Sequence, residues 1–170
     1  MRLFSFPNPV NELAARTVAG VVLVISIATL VLSVTAGDAW LWVTAALAYG
    51  FVARVLTGPT LSPLGTLAMK VAPRLGAARP VPGPPKRFAQ GIGAVVTVTA
   101  VVLLAVGRPG GTQLLLGAMI VAAGLESIAG YCVGCKIFAL LMRIGWIPQE
   151  TCEACNNIGA RLEERSRVAA

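Results

Sequence analysis

The run TVAGVVLVISIATLVLSVT, residues 17–35, carries no charged side chain. About 20 apolar residues in helical form cross a hydrocarbon layer roughly 30 Å thick. Lipid offers no water to backbone N–H and C=O groups, so the run must satisfy them within itself, as a helix does. Three further runs fit the same description: residues 39–55 with Arg54 near the end, the valine-rich 90–106, and 112–131 with Glu126 as its one charge. The β-branched residues of the third run favour a strand in water, but a lone strand in lipid would leave its backbone unpaired. The four runs predict an all-α integral membrane protein with four transmembrane helices. Composition agrees, with 56% hydrophobic and 12% charged residues, where soluble domains carry about 25% charge. Residues 17–35 also invite a signal-peptide reading, with Arg2 and Arg16 ahead of them. The run is longer than the usual 7–15-residue apolar region, and a spanning helix is expected instead.

The basic residues give the bundle a direction. Arg2 and Arg16 precede the first run, and Arg54, Lys70, Arg74, Arg79, Lys86 and Arg87 lie at or between the second and third. Lys136, Arg143, Arg161, Arg165 and Arg167 follow the fourth, which leaves only Arg108 for the opposite side. Short cytoplasmic segments are enriched in Lys and Arg, so both termini and the long middle loop are expected in the cytoplasm. The expectation is a multi-pass membrane protein with both ends in the cytoplasm. The net charge of +7 then needs no nucleic acid partner, because a basic loop beside a bilayer faces anionic headgroups. The whole chain, 1–170, reads as one membrane domain.

The middle loop, 57–87, is proline-rich at both ends, which predicts extended or turned chain there. Between them LGTLAMKVAPRLG suits a short helix lying at the interface. Ahead of the first run, PNPVNELAAR offers Asn8 or Asn11 as a cap, with Glu12 and Arg16 spaced i,i+4. Recurrent glycines such as Gly20, Gly50, Gly93 and Gly124 favour close helix packing.

All four cysteines follow the fourth run, in a cytoplasmic segment spanning 132–170. They form C-x2-C-x16-C-x2-C: Cys132, Cys135, Cys152 and Cys155. Two chemistries fit. That spacing matches a four-thiolate zinc site, with Glu150 or Glu153 as spare oxygen ligands and no histidine anywhere in the chain. Alternatively each CxxC pair switches between dithiol and disulfide, its first thiol activated by a helix N-terminus or a nearby cation. Lys136, next to Cys135, supplies such a cation. A reducing cytoplasm disfavours a permanent structural disulfide. Between the pairs, Ile137, Leu140, Leu141 and Ile144 would form one apolar stripe of a surface helix.

An acid within a membrane helix is unfavourable unless paired or wet, so Glu126 predicts a structural ion pair with Arg54. On an unbroken helix Glu126 and Cys132 point about 240° apart; only a break at Gly130 would bring them to one face. Without histidine there is no Ser/His/Asp or Cys/His arrangement, and no phosphate-cradling glycine loop occurs. Hydrolytic and nucleotide-driven chemistry are therefore not expected.

The segments PNPVNELAAR, GPTLSP, PGPPKRFAQGIG and LESIAGYCVGCKIF together resemble a bacterial integral membrane family known as domain of unknown function 4395. The resemblance runs from residue 7 to about 158, and its most specific part is 126–138. It implies that Glu12, Arg16, Arg87, Glu126, Cys132 and Cys135 occupy signature positions, with Cys152 and Cys155 belonging to a subset. It also implies thiol or sulfane-sulfur chemistry with a thioredoxin-like or rhodanese-like partner. The expectation is a membrane thiol protein in which Cys132 and Cys135 exchange electrons or sulfur while Cys152 and Cys155 resolve or relay. The alternatives are a structural zinc protein and a small transporter of a sulfur compound.

Overall fold

The computed structural model describes Phe6 and residues 8–148; Cys152 and Cys155 lie outside the described residues. Six helices follow in chain order: α1 (Glu12–Ala36), α2 (Val43–Thr57), α3 (Pro63–Leu75), α4 (Gly83–Ala105), α5 (Pro109–Ala129) and α6 (Val133–Arg143). A 3-10 turn at Asp38–Trp42 runs directly into α2. Four of these elements are long and apolar enough to cross a membrane: α1, the turn with α2, α4 and α5. The chain is a multi-pass membrane protein. Its outer surface is apolar, with Val24, Val34, Val95, Leu114 and Ile128 all exposed. Its interior holds a cluster of Val22, Leu41, Leu47, Leu116 and Met119, with many small side chains around it, among them Ala19, Ser26, Thr29, Thr44, Thr97, Ala100 and Thr112. Lipid is as apolar as leucine, so tight backbone approach and short hydroxyls add to packing in holding such helices together. Thr112 Oγ1 donates to Ala100 O (2.8 Å) across α5 and α4, and Gln113 Nε2 donates to Ser33 Oγ (3.4 Å) across α5 and α1.

In the bundle α1 packs along α5, α5 along α4, and α4 along α2. The short helices cover one end. α3 lays Ala68 and Ala72 against Ala14 of α1, packs Gly65 on Pro59, and turns Lys70 and Arg74 outward. α6 lies across α4 and buries Gly134 and Phe138. Of the expected stripe, Ile137, Leu140 and Ile144 are exposed and Leu141 is half-buried, and the side of α6 that packs on α4 is instead that of Gly134 and Phe138.

The helix ends differ from the expected ones, and the reasons are local. α4 begins at Gly83, seven residues before the apolar run, because Pro84 and Pro85 fall in its first turn. N–H groups there have no intrahelical partner, so proline loses nothing. The segment PGPPKR is therefore helical, not turned, and Lys86 and Arg87 belong to a helix instead of a loop. α1 starts at Glu12, capped by Asn11, whose Oδ1 accepts from Leu13 N (3.0 Å). A two-residue antiparallel ladder pairs β1 (Val10–Asn11) with β2 (Pro80–Val81), and Asn8 Oδ1 accepts from Gly83 N (3.1 Å). The starts of α1 and α4 are thus tied together. α5 stops at Ala129, because Gly130 takes the left-handed conformation (φ 67°) that glycine adopts at little cost.

Candidate functional site at one end of the bundle

The break at Gly130 sets the position of the cysteines. After it the chain turns, Cys132 takes an extended conformation, and α6 starts at Val133. Cys132 is the N-cap of α6, its Sγ accepting from Cys135 N (3.3 Å). The side chain occupies the place usually taken by Ser or Asp, where unpaired N–H groups and the helix dipole favour negative charge. Both cysteines are free thiols, Cys132 buried and Cys135 partly so.

Glu126 and Cys132 line the same cavity, about 240 Å³, in the bundle between α1, α2, α4, α5 and α6. This is the shared face that an unbroken helix would have denied them. Arg54, Lys86 and Gln90 complete its polar lining. At ion-pair distance from Glu126 is Lys86, whose Nζ lies 2.6 Å from Glu126 Oε1. The expected Arg54–Glu126 pair is thus replaced by Lys86–Glu126. α5 packs along α4, which carries Lys86, whereas α2 packs chiefly on α4; Arg54 shares the cavity with Glu126 without being paired to it. Arg54 instead donates from Nη1 to Ser62 Oγ (3.1 Å) and stacks over the Phe51 ring at 4.4 Å.

The two thiols are pushed apart in acidity. Cys132 is held below the usual thiol range, first by the Cys135 thiol as a hydrogen-bond donor, with Lys86 and the Cys135 N–H adding to it. Burial and Glu126 oppose the shift. Cys135 is pushed well above that range, first by its bond to Cys132 and then by burial. The cation acting on the pair is Lys86. Lys136, the sequence neighbour, lies over the Tyr131 ring at 5.5 Å.

Gly134, inside the CxxC motif, lets α6 touch α4. A Cβ at this position would lie 2.5 Å from Ala89 Cβ and 2.6 Å from Ala89 Cα. The Phe88 and Phe138 rings, with centroids 5.5 Å apart, close the same contact. Arg16 fixes the preceding break: its Nε and Nη2 donate to Ser127 O (3.3 and 3.1 Å), and Nη2 also to Ile128 O (3.0 Å). These carbonyls end α5, where a cation is favoured. Arg87 does the same for α2, its Nε donating to Val55 O (3.0 Å). Arg16 and Arg87 therefore hold helix ends, while Cys132, Lys86, Glu126, Arg54 and Gln90 meet around the cavity.

A family model described as Domain of unknown function (DUF4395) matches residues 10–143. The chain belongs to this family. The match runs from β1 to the end of α6, so the family region is the bundle with its two surface helices and the first CxxC. Cys152 and Cys155 fall beyond it. No curated protein and no solved structure matches the chain. Among the described residues no group of three or more His, Cys, Asp or Glu side chains is placed to hold a metal ion. The four-thiolate zinc site would need Cys152 and Cys155, outside those residues.

Sequence reasoning missed three contributors. Lys86 was hidden by the prolines before it, although a proline pair directly ahead of an apolar helix is a start signal. Gly134 reads as a spacer until α6 is laid on α4. Gln90 carries no signal of its own.

Proposed function

We propose that this protein is a membrane thiol protein working through Cys132 and Cys135 at the cytoplasmic face. The observation that carries this reading is the placement of Cys132: N-cap of α6, hydrogen-bonded by Cys135, and facing Lys86 across a cavity. A thiolate is the nucleophile in thiol–disulfide exchange, and each of these features favours the thiolate at Cys132. The Cys132 thiolate attacks one sulfur of a disulfide in a thioredoxin-like partner, forming a mixed disulfide and releasing one partner thiolate. That thiolate takes the proton of Cys135. The Cys135 sulfur then attacks Cys132 Sγ and expels the partner's second sulfur, which takes up a proton from water. The protein ends as a Cys132–Cys135 disulfide, and the partner has gained two electrons and two protons. Run backwards, the sequence reduces the protein. With a rhodanese-like partner the same nucleophile would accept a sulfane sulfur. Cys152 and Cys155 are assigned the resolving or relay role.

The cytoplasmic assignment rests on thirteen of the fourteen Lys and Arg falling on one side, the side of the cysteines, in a bacterial inner membrane. Metal analysis and thiol counting on detergent-purified protein test the reading together. Zinc-free protein whose Cys132 and Cys135 form a disulfide reversible by dithiothreitol is the expected result. One zinc per chain, lost when either CxxC pair is changed to serine, would overturn the thiol reading in favour of a structural metal site.

A further inference from the structure

The Lys86–Glu126 pair accounts for two of the charges in the cavity, and Arg54 is left over. Its guanidinium is 3% exposed, too deep for bulk water to screen. Three contacts fix its position. Phe51 lies under its plane and Ser62 Oγ takes Nη1. Gly50 leaves the space beside Nη1, where a Cβ would come within 3.3 Å. Nε and Nη2 have no hydrogen-bond partner among the described residues. These two N–H groups lie on one edge of the guanidinium and point the same way, a fork that matches two oxygens of one oxyanion.

Arg54 and Gln90 also line a second cavity, about 110 Å³, under α3 and the segment before α1. Arg54 therefore borders both the space under the surface helices and the space that Cys132 lines. Gln90 Oε1, beside the same two cavities, is likewise unpartnered among the described residues, and Glu126 in the first cavity is already paired with Lys86. A buried cation with two unpartnered donors is unfavourable by itself. One bound negative charge would satisfy both the charge and the donors.

We propose that Arg54 holds a small oxyanion between its Nε and Nη2 groups, in the cavity that Cys132 lines. The ligand presents two oxygens to the fork, as sulfate, thiosulfate or a short carboxylate does. Chloride, a single point charge, is a poor match. A phosphate headgroup from the surrounding lipid offers the same chemistry from a second source. The site stands independently of the thiol chemistry, because its donors belong to α2 and do not include a cysteine.

The test uses the full chain in a neutral detergent, with melting temperature read against sulfate, thiosulfate or formate at constant ionic strength set by chloride. A saturable rise for at least one oxyanion is expected, with slower alkylation of Cys132 at the same concentrations. Arg54→Lys keeps the charge and removes the fork, and should weaken the apparent affinity by about tenfold or more, the loss of a charge-assisted hydrogen bond. Arg54→Met should abolish the response while circular dichroism stays helical. Cys132→Ser should keep the melting response, which separates this site from the thiol reading. A rise given by phosphatidylglycerol micelles and by no free oxyanion would assign the fork to lipid and overturn the small-ligand proposal. No oxyanion response above chloride in the unmodified protein, or an equal response in Arg54→Lys, would also overturn it, whatever the fold of Arg54→Met.

Discussion

Replacing Gly134 by alanine adds one methyl group, and the structure says what it meets. The new Cβ would lie 2.5 Å from Ala89 Cβ and 2.6 Å from Ala89 Cα, against about 3.5–4.0 Å for relaxed carbon contacts. Ala89 sits on α4 and cannot swing aside as a long side chain would, so α6 must lift by about 1 Å. Overpacking of this kind costs about 1–3 kcal/mol. If that cost falls on the docking of α6, the undocked population rises about 5- to 150-fold. Cys132 is 8% exposed when docked, so its alkylation by iodoacetamide reports the undocked state. The measurement belongs at a pH above the ordinary thiol range, where the thiolate is complete in both forms and only access differs. Peptide mass spectrometry of Cys132 in full-length detergent-purified protein should show a several-fold faster rate for Gly134→Ala, with a lower melting temperature. Gly91→Ala makes the same substitution on α4 at a position where a Cβ meets nothing within 4 Å, and should leave both readings unchanged. Wild-type alkylation and melting in Gly134→Ala would refute the close α4–α6 contact and the role given to that glycine.

Three further outcomes follow from the same geometry. Because Lys86 lowers the pKa of Cys132 and Glu126 raises it, the two should move the pH midpoint of Cys132 alkylation in opposite directions. Lys86→Gln shifts it upward and Glu126→Gln downward, from a starting value below that of a free thiol; shifts of the same sign would rule out the electrostatic account. Arg16→Met removes hydrogen bonds from a cation to two carbonyls at the end of α5, a loss of about 1.5–3 kcal/mol that thermal unfolding in detergent should register. Arg87→Met, with one such bond from an exposed side chain, should cost less, about 1 kcal/mol or below. In intact cells, a membrane-impermeant maleimide should label a cysteine placed at Gly110 and leave one placed at Ala78 unlabelled; the reverse pattern would invert the orientation drawn from the basic residues.

The four crossings were legible because hydropathy alone carries them: residues 17–35 have no charge and 112–131 have only Glu126, far less than any other environment would demand. The short helices were legible too, since LGTLAMKVAPRLG and KIFALLMRIG place small or apolar residues on one side and cations on the other. Helix ends were less so. A stretch such as PGPPKR reads as a turn by composition, yet proline in a first helical turn gives up no hydrogen bond, and α4 begins there. That one difference turns Lys86 from a loop cation into the partner of Glu126. The pairing could not be read from the sequence, because it depends on which helix is the neighbour of α5, and charge pattern says nothing about neighbours.

The site owes its composition to where the chain stops being helical. An uninterrupted helix from residue 112 past Cys132 would send Glu126 and Cys132 to different faces and would give Cys132 an ordinary i,i+3 relation to Cys135. The left-handed Gly130 ends one helix so that another can start three residues later, and Arg16 holds the carbonyls freed by that ending. A helix that starts at residue 133 needs an N-cap at 132, and a cysteine in that position is the side chain most exposed to the unpaired N–H groups of the new helix. The acidity of Cys132 is therefore a consequence of a chain break and not of the CxxC spacing alone. The pair Cys152 and Cys155 repeats the spacing but falls outside the family region. Spacing by itself thus gives no ground for making that pair the nucleophile and leaves it the resolving or relay role, whereas Gly130, Arg16, Lys86 and Gly134 together supply the ground for Cys132.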